Sequence, residues 1–200
     1  MIKICGVTDV RTALAAAEAG ATAIGLVFAE SPRTIGTAEA AAIADALPAG
    51  VERVGVFRAG DLKRLAAIHG AVRLDVIQVH GLDQPPLTLD GLPVMPAFRA
   101  GFPVGLRHAR LLLDSPAGEG SGQAWDFKQL RGMAMRRGLI LAGGLTPRNV
   151  AEAIDVVKPY GVDVSSGVES RRGRKDVALI KRFVAASLAA FARIESEVQA

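Results

Sequence analysis

The sequence is short of cysteine, of aromatic residues and of long apolar runs. Its 200 residues include one cysteine, Cys5, which excludes a disulfide within the chain and a metal site built from several cysteines. A single thiol is typical of a reducing compartment, so we expect a cytoplasmic protein. Aromatic residues make up 4% of the chain, so the core has to be aliphatic. Because no apolar run is long enough to span a bilayer and the N-terminus lacks a signal-peptide pattern, we expect no membrane partner.

The chain also carries little net charge and no segment that divides it. Lysine and arginine number 24 and aspartate and glutamate 20, which leaves a net charge of +4. This mild excess is compatible with a small anionic ligand and does not by itself indicate nucleic acid. The basic run at 171–175 lacks interleaved aromatic residues, so we interpret it as a solvated loop rather than a nucleic-acid site. Without a linker or a low-complexity tract, residues 1–200 are predicted to form a single domain.

A strand–helix unit repeats eight times along the chain. An apolar run ends at Gly6, and seven more of strand length follow, at 22–28, 53–57, 74–78, 93–98, 110–114, 139–142 and 161–165. Helices are predicted at 9–19, 37–47, 61–69, 147–157 and 176–194, with another beginning near Asp126. Segment 82–89 contains two prolines and should form a short or irregular helix, while 115–122 should be a loop. No helix is evident after 93–98, so helix 5 is expected to be short or replaced by a loop.

This alternation predicts an α/β protein whose parallel strands close into a compact (β/α)8 barrel, the TIM barrel. The alternative is an open, doubly wound sheet, but eight units and the absence of a Gly-x-Gly-x-x-Gly turn favour the barrel. In a closed barrel the eighth strand lies beside the first. Side chains alternate along a strand, so Ile2 and Ile4 should pack under helices while Lys3 and Cys5 face the barrel axis. Asp163 shares the inward face, and we predict a buried Lys3–Asp163 ion pair because either charge alone would be costly inside.

The functional rim of such a barrel is formed by the carboxyl ends of its strands and the loops after them. Two turns, Gly143-Gly144 and Ser165-Ser166-Gly167, follow the seventh and eighth strands, where phosphate-binding barrels present backbone N–H groups to an anion. Two tight turns without a ligand are the alternative. Because both turns follow adjacent strands, phosphate binding is favoured.

Other rim residues have both a functional and a structural interpretation. Cys5 is either an inert apolar residue or, with a positive charge such as Lys3 nearby, a reactive thiol. Asp126, taken alone, is best interpreted as a helix N-cap. Arg33 is either a surface arginine or a fork for a substrate carboxylate. His80 is more readily a structural hydrogen-bonding residue than a metal ligand, because no second histidine accompanies it.

The sequence as a whole resembles the phosphoribosylanthranilate isomerases. The resemblance runs in order through Lys3-Ile4-Cys5-Gly6-Val7-Thr8, Ser31-Pro32-Arg33, Gln78-Val79-His80-Gly81, Trp125-Asp126-Phe127, Leu141-Ala142-Gly143-Gly144-Leu145-Thr146-Pro147, Asp163-Val164-Ser165-Ser166-Gly167-Val168-Glu169, and Gly173 with Lys175-Asp176. Three departures concern loop detail. The usual Gly-Gly-Thr-Gly is Gly118-Glu119-Gly120-Ser121-Gly122 here, the aromatic neighbours of Asp126 are exchanged, and Val79 stands where leucine is usual.

The resemblance implies an activity and residue roles. The activity is the Amadori rearrangement of N-(5-phosphoribosyl)anthranilate to 1-(2-carboxyphenylamino)-1-deoxyribulose 5-phosphate in tryptophan biosynthesis, without metal or cofactor. Asp126 is implied as the general acid, Cys5 as the general base and Arg33 as the ligand of the anthranilate carboxylate. The remaining implied residues bind substrate or support the site: His80, Gly143, Gly144, Ser165, Ser166 and Gly167 in the first role, and Lys3, Gln78 and Asp163 in the second.

The implied partner is a phosphorylated small molecule that also carries a carboxylate, which suits a mildly basic protein without nucleic acid. A monomer is expected rather than a homodimer. The rival interpretations are another phosphosugar barrel isomerase and a non-catalytic barrel that binds a phosphorylated ligand. Retention of both Cys5 and Asp126 argues against the second, because binding alone needs neither.

Overall fold

A closed ring of parallel strands forms the centre of the fold. The structure is a computed structural model that describes residues 1–99, 101, 105–115, 126–130 and 138–199. Its main sheet, within those residues, contains β1 (Ile2–Cys5), β2 (Ala23–Val27), β3 (Glu52–Arg58), β4 (Val76–His80), β5 (Thr88–Leu89), β6 (Leu92–Arg99), β7 (Leu111–Asp114), β8 (Leu139–Leu141) and β9 (Gly161–Val164). The ring runs β1-β2-β3-β4-β6-β7-β8-β9 and closes where β9 pairs with β1. The predicted (β/α)8 barrel, with its eighth strand beside the first, is therefore confirmed.

Helices connect the strands around the outside of the ring. The α-helices among the described residues are α1 (Val10–Ala19), α2 (Thr37–Ala46), α3 (Leu65–Val72), α4 (Val150–Val157) and α5 (Val177–Gln199). Helix α1 begins where the Asp9 carboxylate accepts a hydrogen bond from the Thr12 N–H at 2.8 Å, and it ends at Gly20, whose φ is 105°. Both ends agree with the prediction. In the part of the chain that the structure describes, no helix combines the length and the apolarity needed to cross a bilayer.

The prediction of a short or irregular helix at 82–89 is wrong. Those residues contain no helix, and Thr88–Leu89 forms β5, which pairs with β6 in an antiparallel hairpin. The turn is Asp90-Gly91, with φ of 49° and 78°. Asp-Gly favours this kind of tight hairpin turn, while the two prolines before it cannot donate helical hydrogen bonds.

Three other segments can be compared with the sequence prediction. The basic run expected to be a loop forms a hairpin of β10 (Glu169–Arg171) and β11 (Arg174–Lys175). The helix expected at 61–69 is divided into a 3₁₀ turn, Ala59–Arg64, and α3. After β6, the described residues 101 and 105–110 contain no helix, as expected for helix 5. Most of the predicted loop at 115–122 lies outside the described residues.

The two faces of the strands pack in separate apolar layers. Ile2 and Ile4 belong to the large outer cluster, which includes helix residues such as Ala13 and Phe183. A second cluster fills the ring with inward-facing side chains: Ala23, Val54, Val76, Met95, Ala97, Leu112, Ile140 and Ala142. Alternation along the strands therefore separates a helix-covered face from an inner face, as predicted for a barrel.

A buried ion pair joins the first and last strands of the ring. Lys3 and Asp163 are neighbours in the β1–β9 register, and Lys3 Nζ lies 2.7 Å from Asp163 Oδ1. The Lys3 side chain is 0% exposed and that of Asp163 is 9% exposed. Burial acts to lower the pKa of Lys3, but Asp163 and the Cys5 thiol outweigh it and raise that pKa above its ordinary value. The predicted Lys3–Asp163 contact is therefore present, and it holds Lys3 in its charged form.

We expect Lys3→Met to lower the free energy of unfolding by about 3–5 kcal/mol, because the Asp163 carboxylate would be left buried without its partner. The double variant Lys3→Met/Asp163→Leu removes both charges and should recover part of that loss. Arg73→Met is the control, since its ion pair with Asp45 is 75% and 67% exposed and should contribute less than about 1 kcal/mol. Urea unfolding measures all three variants. A Lys3→Met protein as stable as the Arg73→Met protein would contradict this account.

Candidate active site

A cavity opens at the carboxyl ends of the barrel strands. This is the end where barrels of this architecture carry their chemistry, and its lining combines apolar residues with a few polar and charged ones, as small-molecule sites do. Many of the residues predicted from the sequence line it: Cys5, Arg33, Gln78, His80, Gly143, Gly144, Asp163, Ser165 and Ser166. Lys3, Gly167 and Asp126 are not among the lining residues.

Cys5 is the last residue of β1, and its side chain borders this cavity. Burial disfavours the thiolate and raises the pKa of Cys5 above its ordinary value. The ammonium groups of Lys3 and Lys175 act in the opposite direction, and the negative charge of Asp163 adds to the increase. The thiol therefore lies in an apolar pocket in which two lysines partly offset the cost of forming the thiolate. That pocket is formed by Val27, Ala29 and Val56.

Gly25 of β2 provides space for the Cys5 and Lys3 side chains. It is the register partner of Cys5. A Cβ atom added to Gly25 would lie 2.8 Å from Cys5 Sγ and 3.2 Å from Lys3 Cε, whereas carbon atoms in favourable contact are about 3.5–4.0 Å apart. A side chain at this position would therefore compete with the thiol for the same space.

Arg33 belongs to a buried network of charges that sequence reasoning did not predict. Its Nε and Nη2 donate to the two carboxylate oxygens of Glu169, at 2.7 and 3.0 Å. Lys175 Nζ lies 2.8 Å from Glu169 Oε1. Burial acts to raise the pKa of Glu169, but the hydrogen bonds from Arg33 and Lys175 outweigh it and lower that pKa to about 2. The carboxylate is therefore ionised, and it fixes the plane of the guanidinium group.

Both predicted phosphate-binding turns reach the cavity, but packing gives two of their glycines a further explanation. Gly143 has a φ of 86°, and a Cβ atom there would overlap the backbone amide of Ser115. A Cβ atom on Gly167 would overlap the carbonyl oxygen of Leu145. Glycine is therefore needed at these two positions by the fold alone, and their role in phosphate binding stays a prediction.

Gln78 and His80 form a pair at the end of β4. Gln78 is buried, and its Nε2 lies 2.9 Å from Nε2 of His80, which borders the cavity. Among the described residues, Oε1 of Gln78 has no hydrogen-bond partner. The contact joins the imidazole ring to β4 at the edge of the cavity, and the supporting role expected of Gln78 stays a prediction.

The structure places Asp126 at the surface as the cap of a 3₁₀ turn, Phe127–Leu130. Its carboxylate accepts hydrogen bonds from the Lys128 N–H at 3.2 Å and from Gln129 Nε2 at 3.3 Å. This is the capping interpretation that the sequence favours for Asp126 alone. Another carboxylate, that of Asp114, does line the cavity, with Oδ1 2.8 Å from the Ser115 amide nitrogen. Its position as the last residue of a predicted strand was the signal that could have identified it.

The closed ring and the cavity at its carboxyl end define a (β/α)8-barrel protein with a small-molecule site. A family model described as N-(5'phosphoribosyl)anthranilate (PRA) isomerase matches residues 2–186. The chain belongs to this family. The Acidithiobacillus ferrooxidans relative named N-(5'-phosphoribosyl)anthranilate isomerase is 45% identical over 197 residues, which cover 92% of this chain and 95% of that protein.

Two solved structures share the fold over almost the whole chain. One is phosphoribosyl anthranilate isomerase in complex with reduced 1-(o-carboxyphenylamino)-1-deoxyribulose 5-phosphate, with a TM-score of 0.79, 34% identity and coverage of 94% of this chain and 98% of that one. The other contains monomers generated from the dimeric enzyme of Thermotoga maritima, with a TM-score of 0.79, 35% identity and the same coverage, 94% and 98%.

We expect Gly25→Ala to destabilise the protein by about 1–3 kcal/mol and to change the reactivity of Cys5, because the new methyl group displaces the thiol. The control is Gly70→Ala in α3, where an added Cβ atom meets nothing within 4 Å. That variant should be as stable as wild type or slightly more stable. Urea unfolding and the rate of iodoacetamide alkylation of Cys5 measure the two effects. Wild-type values of both in Gly25→Ala would show that β2 does not limit the space around the thiol.

Proposed function

We propose that this chain is an isomerase that catalyses the Amadori rearrangement of N-(5-phosphoribosyl)anthranilate to 1-(2-carboxyphenylamino)-1-deoxyribulose 5-phosphate, a step of tryptophan biosynthesis. Family membership supports the activity. The observation on which the proposal depends is the position of Cys5, the chain's one cysteine, in the cavity at the carboxyl end of β1. The independence from metal and cofactor expected from the resemblance stays a prediction.

The reaction needs an acid first and a base second. The acid protonates the ring oxygen of the ribose, the bond between that oxygen and C1 breaks, and the amine nitrogen forms a protonated imine with C1. The imine acidifies the C2–H bond, and the base removes that proton to give an enolamine. The enolamine then tautomerises to the ketone, so no electrons are gained or lost. Each proton transfer by a positioned side chain contributes about 10²–10⁴-fold to the rate.

In this proposal Cys5 is the base. Its thiolate faces the cavity and is stabilised by the buried ammonium group of Lys3, which Asp163 holds in its charged form. Because burial raises the pKa of Cys5, the fraction of thiolate increases as the pH rises through the alkaline range. The rate of proton abstraction from C2 should therefore increase with pH until the thiol has ionised.

Asp126 is the proposed acid. The resemblance implies this role for it within Trp125-Asp126-Phe127, and it comes after β7 in the chain. As the cap of a short 3₁₀ turn, its carboxyl group is held at the start of that turn by the Lys128 N–H. Asp114 is the alternative acid, since it is the carboxyl group of β7 that lines the cavity.

Arg33 and the two turns are the proposed ligands of the substrate's negative groups. Arg33 borders the cavity, and Glu169 fixes the orientation of its guanidinium group, which suits recognition of the anthranilate carboxylate. The turns after β8 and β9 border the cavity side by side, which suits the phosphate. His80 completes the proposed substrate contacts. A cytoplasmic monomer remains part of the proposal.

We expect Cys5→Ala and Asp126→Asn each to lower kcat by at least about 10²-fold, because each removes one proton transfer. A tryptophan auxotroph that lacks this isomerase should be rescued by the wild-type chain and not by Cys5→Ala. Asp114→Asn is the matched control for the acid, and it should lose less activity than Asp126→Asn. The opposite order would assign the acid role to Asp114, and wild-type turnover in Cys5→Ala would remove the thiol from the mechanism.

We expect Arg33→Ala mainly to raise KM, because the charge that binds the carboxylate is lost while the proton-transferring groups remain. Arg64→Ala, at the end of the 3₁₀ turn before α3, is the matched control and should leave KM unchanged. Steady-state kinetics with purified substrate measure both. An unchanged KM in a folded Arg33→Ala protein would refute the assignment of this residue to the carboxylate.

A further inference from the structure

The ammonium group of Lys175 is buried near Cys5, although the two residues lie on different elements. Lys175 ends β11, and its side chain is 2% exposed. Its Nζ lies 2.8 Å from Glu169 Oε1, 3.0 Å from the Ser165 carbonyl oxygen and 3.2 Å from Ser165 Oγ. An ammonium group has three N–H donors, so these oxygens account for all of them and hold the charge in one place.

Ser165 links this ammonium group to the strand that carries the thiol. Its Oγ donates a hydrogen bond to the carbonyl oxygen of Cys5 at 3.1 Å. Lys175 therefore contacts both the backbone and the hydroxyl group of the residue that holds the end of β1. Removal of the lysine would loosen this connection.

The charge of Lys175 also favours the thiolate of Cys5. The charges that act on the pKa of Cys5 come from Lys3 of β1, Asp163 of β9 and Lys175 of β11, and the two lysines both favour the thiolate. Three other titratable or charged residues border the same cavity: Arg33, His80 and Asp114. Burial lowers the pKa of Lys175 and raises that of Cys5, so burial opposes the charged form of each. The two opposite charges stabilise one another, and Glu169 stabilises the lysine from its other side.

The surroundings of Lys175 distinguish it from Lys3. Lys3 forms an ion pair with Asp163. The negative charge of Asp163 raises the pKa of Cys5 and so opposes the effect of Lys3. The carboxylate partner of Lys175 is Glu169, which also binds Arg33 and so divides its charge between two cations. The network of Arg33, Glu169 and Lys175 therefore carries a net positive charge, whereas Lys3 and Asp163 together are neutral.

We propose that Lys175 is a positioning residue for Cys5, which fixes the end of β1 through Ser165 and supplies the positive charge that stabilises the thiolate during proton abstraction. This inference rests on the proposed role of Cys5 as the base. Lys175 transfers no proton itself and acts only through its contacts and its charge.

Absorbance at 240 nm as a function of pH tests the inference, because Cys5 is the chain's one thiol and a Cys5→Ala protein supplies the baseline. We expect Lys175→Met to move the thiol titration upward by about one pH unit, the effect of losing a nearby opposite charge. Lys175→Gln, which keeps a donor for Ser165 without the charge, should move it in the same direction. Lys175→Arg should leave the midpoint close to that of wild type.

Lys158→Met is the control, since this lysine is 51% exposed and pairs with Glu197 on the surface. It should change neither the titration nor the activity. In folded Lys175 variants the pH profile of kcat should move by the same amount as the thiol titration, with KM little changed. Circular dichroism identifies any variant that does not fold, and Lys175→Gln then replaces Lys175→Met in the comparison.

A thiol midpoint that stays at the wild-type pH in a folded Lys175→Met or Lys175→Gln protein would overturn the inference. The titration needs no turnover, so it separates this inference from the proposed function. A shifted midpoint without isomerase activity in the wild-type chain would refute the function and support the coupling of Lys175 to Cys5. An unshifted midpoint together with full activity would support the function and refute the coupling of Lys175 to Cys5.

Discussion

The contact between the Lys3 ammonium group and the Asp163 carboxylate is the interaction on which the rest of the structure depends. It lies inside the ring, across the pair of strands whose association closes the barrel. Either charge alone would be costly in an interior otherwise filled by apolar side chains, so the pair specifies which two strands meet. The same contact holds a positive charge two residues before the thiol. The same ion pair therefore joins the strands that close the barrel and places a positive charge beside the thiol.

Positively charged groups in the site favour the thiolate of Cys5, while the apolar pocket around the thiol opposes its formation. Val27, Ala29 and Val56 form an apolar cluster with the thiol, while Gly25 leaves the space that the side chains of Cys5 and Lys3 occupy. The second charged layer, formed by Arg33, Glu169 and Lys175, lies at the same end of the barrel. A base of moderate strength is sufficient for this chemistry, because the imine makes the proton on C2 acidic. In such a site the positive charges need to offset only part of the cost of burying the thiolate.

The parts of the structure that follow from local periodicity could be predicted from the sequence. Alternation along β1 and β9 placed Lys3 and Asp163 on one face, and the count of strand–helix units gave the closed ring. The Arg33–Glu169 contact could not be predicted in this way, because its partners are separated by 136 residues and no local pattern connects them. The hairpin at Asp90-Gly91 could not be predicted from periodicity, because β5 has two residues and is too short to show an alternating pattern. The role of Asp126 could not be assigned from the residue alone, because capping a short turn and donating a proton both need a carboxyl group.

The pairing of the first strand with the last also has a consequence for how the protein is made. Cys5 leaves the ribosome well before its charged neighbours, because Asp163 follows it by 158 positions and Lys175 by 170. Synthesis at roughly 5–20 residues per second therefore leaves the thiol without its charged neighbours for many seconds. During that interval the nascent chain carries an unshielded sulfur and an open sheet edge, both of which a bound chaperone would cover. A ribosome that stops short of β9 releases a polypeptide with no partial activity, since the reactive centre is assembled only after β9 and β11 have been made.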